Sequence, residues 1–137
     1  MKKTARGLRN CNPLNIRKSS AQWQGMANVQ TDREFVTFAG NEWGYRAAFK
    51  TLHTYMTKYN LCTINDIISR WAPMSENDTK TYIRTVRNES GIDSEKKLYW
   101  TCKEDMVKVV MAMSYVENGV RAVKAEVEDG YRLAFGF

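Results

Sequence analysis

The sequence predicts an α+β fold, mostly helical: a single domain over residues 1–137 with a small β-hairpin near the N-terminus. Three observations lead there. After Gly40, apolar residues recur at three- and four-residue steps, the spacing that makes one face of a helix. Before it, Phe35-Val36-Thr37-Phe38 is a short aromatic and β-branched run, with Gly25 and Asn28 available for turns, the pattern of a twisted hairpin. With 43% hydrophobic residues and neither an internal repeat nor a low-complexity linker, the chain suits one core that buries about two-thirds of its unfolded surface.

The elements follow in order. The stretch RNCNPLNIR shows no periodicity, and its Asn and Pro residues favour turns, so Asn10 to Asn15 is expected to form a compact loop flanked by Arg9 and Arg17. The hairpin is expected between Trp23 and Phe38. In EWGYRAAFKTLHTYMTKYN, Tyr45, Phe49, Leu52, Tyr55, Met56 and Tyr59 form an apolar helical stripe. Thr63 and Asp66 have the spacing of a capping box and open a short helix that Pro73 ends. A cap-rich SENDT begins the next helix, which stops at Gly91. Thr101 and Glu104 are expected to cap a helix whose Met106, Val107, Val109, Val110, Met111, Met113 and Val116 nearly surround the axis, marking it as central. A last amphipathic helix is expected over about residues 120–128, with the apolar tail YRLAFGF packing back on the core.

Cys11, Cys62 and Cys102 are odd in number and irregularly spaced, which fits reduced thiols better than disulfides or a zinc cluster. Lys2, Lys3 and Arg6 precede no apolar run, so no cleavable secretory signal is expected. No segment has the apolar length that spans a bilayer, and membrane insertion is not expected. These features suit cytoplasmic synthesis, followed by carriage in a virion or delivery to the cell wall by another route. The net charge of +6 favours an anionic partner: nucleic acid, an acidic membrane surface or bacterial wall polymer.

His53 stands alone and lacks metal-ligand spacing, no nucleophile elbow or phosphate loop is present, and no metal or cofactor is expected. Carboxylates remain. Glu42, Glu89 and Glu117 each lie two residues before a glycine. Glu42 suits the start of a helix and Glu89 an ordinary solvated helix end. Glu117 differs, because it closes the most apolar helix at the end where the macrodipole disfavours an acid. Such surroundings favour a carboxyl that keeps its proton, the form a general acid needs; a solvated helix end is the plain alternative. Trp23, in a polar loop beside Gly25, can line a groove or pack beneath the hairpin.

GLRNCNPLNIR, Trp23-Gln24-Gly25, FVTF, WGYRAAFKTL, TINDIISRWAPMSENDTKTYI and VENG together resemble the lysozyme-like proteins of phages and prophages, described as phage structural proteins or cell-wall hydrolases. The resemblance covers about residues 6–119 and implies a lysozyme-like domain acting on peptidoglycan glycan strands. NPLNIR, the W-x-G segment and the aromatic run also resemble, in order, flagellar-type glucosaminidases, in which a glutamate precedes them. Here none does, and a circular permutation that brings Glu117 beside residues 12–17 would restore it. On this reading Glu117 is the general acid of a glycosidase or lytic transglycosylase. Glu34 and Asp32 are candidates for a second carboxylate, and Glu76 is a cap or a further catalyst. Asn12, Asn15, Arg17, Trp23 and Arg9 would bind substrate. The alternatives are a non-catalytic wall-binding or virion-structural module and a basic nucleic-acid-binding helical domain, although no motif for specific nucleic-acid recognition is present.

Overall fold

The structure, a computed structural model, describes residues 4–73 and 75–137, without the side chains of Glu76 and Asn77. Among the described residues it is all helical: α1 (Arg6–Arg9), α2 (Asn41–Lys58), α3 (Ile64–Trp71), α4 (Glu76–Ser90), α5 (Lys103–Asn118) and α6 (Lys124–Phe135). The expected α+β fold with its β-hairpin is therefore corrected to an all-helical one.

The reason lies in residues 10–39. A few backbone pairs form there, such as the Ala27 N–H with the Thr37 carbonyl and the Val36 N–H with the Ile16 carbonyl, but side chains take other hydrogen bonds that a ladder would use. The Phe35 to Phe38 run makes just two isolated antiparallel bridges among the described residues, Phe35 with Arg17 and Phe38 with Met26. Around them Gln30 accepts from the Thr37 N–H at 2.8 Å and donates to the carbonyls of Ala27 and Thr37. Asp32 accepts from the N–H groups of Glu34 and Phe35. Asn12 donates to the carbonyls of Ile16 and Val36. Asn, Asp and Gln side chains offer the backbone such an alternative to strand pairing.

The helical body follows its periodicity. Val109, Val110, Met106 and Met113 of α5 are fully buried, and α5 packs against α2, α4 and α6. The most extensive pairing is α2 with α6. Gly130 permits it, since a Cβ there would lie 2.5 Å from Cβ of Tyr45. Phe49 of α2 meets Tyr131 edge to face at 5.2 Å. This packing extends α6 through the expected tail: the YRLAF stretch is helical because its rings find partners on α2, and an interior glycine is tolerated where it is pressed against a neighbour.

At the caps, Thr63 accepts from the Asp66 N–H at 3.1 Å, as its spacing predicts. Thr101 does not cap α5. The N-cap is Cys102, without a side-chain bond, because residues 99–102 form a turn in which the Cys102 N–H bonds to the Tyr99 carbonyl. Among the described residues no helix is long and apolar enough to cross a membrane.

Candidate active site

Glu117 occupies the last turn of α5, which Gly119 ends in the left-handed conformation with φ 72°. The next residue ties this helix end to the N-terminal loop, because Asn118 Nδ2 donates to the Pro13 carbonyl at 2.8 Å and to the Ser114 carbonyl at 2.9 Å. Glu117 makes the second tie: its Oε1 accepts from Asn15 Nδ2 at 2.7 Å. Its Oε2 accepts from the Tyr82 hydroxyl of α4 at 2.9 Å. Burial first, and the Glu117 charge second, push the Tyr82 hydroxyl well above its ordinary pKa, so it keeps its proton and remains a donor. Two neutral donors thus hold a half-buried carboxyl between the first loop and α4.

The loop is shaped to make this contact. Asn12 is fully buried; its Oδ1 accepts from the Ile16 N–H at 2.9 Å while its Nδ2 clamps the Ile16 and Val36 carbonyls. Asn15 has φ 53°, a left-handed angle that Asn accepts more readily than most residues. Gly7 lets α1 lie against both, since a Cβ there would come within 2.8 Å of Asn118 Oδ1 and 2.9 Å of Asn15 Oδ1. The crowding of Gly and Asn in GLRNCNPLN therefore reflects a tight junction of α1, the loop and the end of α5.

Beside this junction runs a groove of about 560 Å³. The N-terminal segment lines it with Asn15, Ile16, Arg17, Trp23 and Phe35, and the helical body with Thr51 and Tyr55 of α2 and residues 71–73 at the end of α3. Glu117 also lines it, as the one carboxylate of the lining among the described residues. Four aromatic side chains, Trp23, Phe35, Tyr55 and Trp71, give it flat apolar faces. The volume lies within the range of small-molecule and oligosaccharide sites.

The other predicted site residues are distributed as follows. Asn15, Arg17 and Trp23 line the groove, whereas Asn12 lies beneath it as a buried clamp. The exposed Arg9 bonds to the Thr4 carbonyl, outside the lining. Asp32 is gripped by Arg6 Nε at 2.7 Å, Arg6 Nη2 at 2.8 Å and Asn10 Nδ2 at 3.0 Å, which together hold its carboxyl far below the usual carboxylate range. Glu34 is exposed, 3.5 Å from Arg17 and 3.8 Å from Arg6. Neither Asp32 nor Glu34 is in the lining. Glu76 opens α4, but its side chain lies outside the described residues. His53 packs edge-on against Trp100 at 4.7 Å, where burial and then Lys50 lower its pKa. Among the described residues no three His, Cys, Asp or Glu side chains converge as a metal site.

Sequence reasoning missed Tyr82, Asn118, Tyr55 and Trp71 as parts of the site. Tyr82 lies 35 residues before Glu117, and within α4 its spacing with Val86 marks only a buried face. Asn118 was visible next to Glu117, but nothing local shows that its amide spans to Pro13.

The fold and groove define a small helical protein with one carboxylate set into an aromatic cleft. No family model matches the chain. It is 42% identical over 135 residues to Protein P5 of Pseudoalteromonas phage PM2, an alignment that spans 96% of this chain and 82% of that protein. The chain belongs to the family of that phage protein.

Proposed function

We propose that the groove binds peptidoglycan glycan strands and that Glu117 cleaves them as the general acid of a lytic transglycosylase. Glu117 donates a proton to the bridging glycosidic oxygen, and the bond to the anomeric carbon breaks. The primary hydroxyl of the same sugar then attacks that carbon, and its proton returns to the carboxylate. The product carries an internal ether ring and is lighter by one water than a hydrolysis product.

The carrying observation is the position of Glu117, in the groove lining and aimed by Asn15 and Tyr82. A fixed carboxyl geometry is what proton delivery to a bound oxygen requires. The one-carboxylate route is preferred because a hydrolase needs a second carboxyl about 5–9.5 Å from the first. Asp32 and Glu34 lie outside the lining, where Arg6 engages both. The aromatic walls suit the apolar faces of sugar rings. Kinship with a phage protein fits work at the cell wall, which a bacterial virus must cross.

Glu117→Gln, which keeps the shape and removes the transferable proton, is expected to lower clearing of purified wall by roughly 10²- to 10⁴-fold. Unchanged clearing by a variant with an unaltered circular-dichroism spectrum rejects the assignment.

A second reading has its own observation. Both Glu117 oxygens already accept hydrogen bonds, so the residue also serves as a tie between α4 and the loop. A non-catalytic wall-binding module of a virion would keep that tie; purified wall would then be bound without new sugar ends.

A further inference from the structure

Two guanidinium groups stand over rings that line the groove, Arg17 from the N-terminal segment and Arg70, itself outside the lining, from α3. Arg17, 72% exposed, stands 5.0 Å from the centroid of Phe35. Arg70, in the last turn of α3, stands 5.2 Å from the centroid of Tyr55 and 4.0 Å from that of Tyr59. Phe35 and Tyr55 both line the groove, and so does Trp71, the neighbour of Arg70. Tyr55 in turn meets Trp71 edge to face at 6.3 Å. Arg70 also donates a hydrogen bond to the Tyr55 side chain. A guanidinium held over a ring keeps further N–H donors that can pair with a carboxylate through two hydrogen bonds. Arg17 has one anionic contact, with Glu34 at 3.5 Å, which a shorter two-pronged pair can displace. A neutral glycan has no use for two such cations at the rings of an aromatic trough.

We propose that Arg17, in the groove lining, and Arg70, beside it on the lining ring of Tyr55, make this groove selective for glycan strands bearing carboxylates. In peptidoglycan those carboxylates belong to the lactyl and peptide substituents. The inference rests on the reading of the groove as a glycan site but not on Glu117 chemistry.

The test is co-sedimentation of the full chain with insoluble wall, native or with its carboxylates converted to neutral amides by carbodiimide and ammonia. The proteins are wild type, the double variant Arg17→Gln/Arg70→Gln, and a charge-matched control, Arg33→Gln/Arg84→Gln, all checked for fold by circular dichroism. Wild type and the control are expected to bind native wall alike and amidated wall about tenfold more weakly. The double variant is expected to bind both walls at the weaker level. Native-wall binding retained by the double variant, or a loss just as large in the control, overturns the inference. Equal clearing of both walls by wild type overturns it too, while leaving the catalytic reading in place. Arginine-dependent binding without release of sugar ends does the reverse. Absence of any wall binding overturns both.

Discussion

The N-terminal segment, residues 4–40, and the helical body, residues 41–137, hold their shapes by different means. The body is ordered by apolar burial, with α5 sunk in the core and α2 locked on α6 through Gly130 and a cluster of rings. The N-terminal segment has a thinner share of core, chiefly Leu14, Ile16, Val36 and Phe38. Amide and carboxylate side chains do the rest: Asn12 and Gln30 clamp carbonyls, and Asp32 gathers Arg6, Asn10 and two backbone N–H groups. The contrast shows how a small protein builds a groove. Packing supplies a rigid bed, and a polar segment pinned by Asn12, Gln30 and Asp32 supplies the rest of the lining.

The contrast can be broken from either side. The largest stability effect is expected in the body: Phe49→Ala removes a ring packed on Tyr131 and Phe135 and should cost about 3–5 kcal/mol in chemical denaturation. Wall binding per folded molecule should stay nearly unchanged, since Phe49 lies outside the groove lining. Asn12→Ala is expected to cost less stability, about 1–3 kcal/mol, because it strands buried backbone groups of Ile16 and Val36. It should nevertheless weaken wall binding more than Phe49→Ala does, because the displaced loop carries Asn15 and Arg17. Equal binding losses in the two variants would remove the distinction between bed and polar segment.

Asp32 sharpens the comparison through pH. Its folded pKa is depressed, chiefly by the hydrogen bonds from Arg6 and then by that from Asn10. Its stabilising contribution is therefore fully present above the unfolded value of about 4 and is lost as pH falls toward the folded value. Asp32→Asn should melt below wild type at pH 7, with the gap narrowing as pH drops beneath about 4. A gap independent of pH would mean that the Arg6 contact is not ionic in origin. The smallest effect separates two similar threonines. Thr63→Ala should cost about 1 kcal/mol, since it caps α3. Thr101→Ala should stay within about 0.5 kcal/mol, since it caps nothing.

The same division governs what the sequence discloses. Periodic burial leaves a periodic trace, so α2, α3, α4 and α5 are legible within a residue or two, with Pro73, Gly91 and Gly119 as stops. Where tertiary contacts override local signals, legibility drops. The tail of α6 is helical because Phe49 receives its rings, and Gly130 looks like a terminator until Tyr45 is placed beside it. In residues 10–39 the aromatic run implies a hairpin, but Gln30, Asp32 and Asn12 satisfy the backbone instead, and side-chain bonding of that kind has no period to detect. Of the site, Glu117, Asn15, Arg17 and Trp23 could be singled out from residue type and neighbourhood. Tyr55 and Trp71 reach the groove, and Tyr82 reaches Glu117, only through helix packing and could not.

The most direct test of the Glu117 reading is the mass of fragments released from purified peptidoglycan by wild type and by Glu117→Gln. Wild type is predicted to release sugar ends lighter by one water than hydrolysis products, and the folded variant to release essentially none. Release of the same fragments by Glu117→Gln, or wall binding by wild type with no fragments at all, would contradict it.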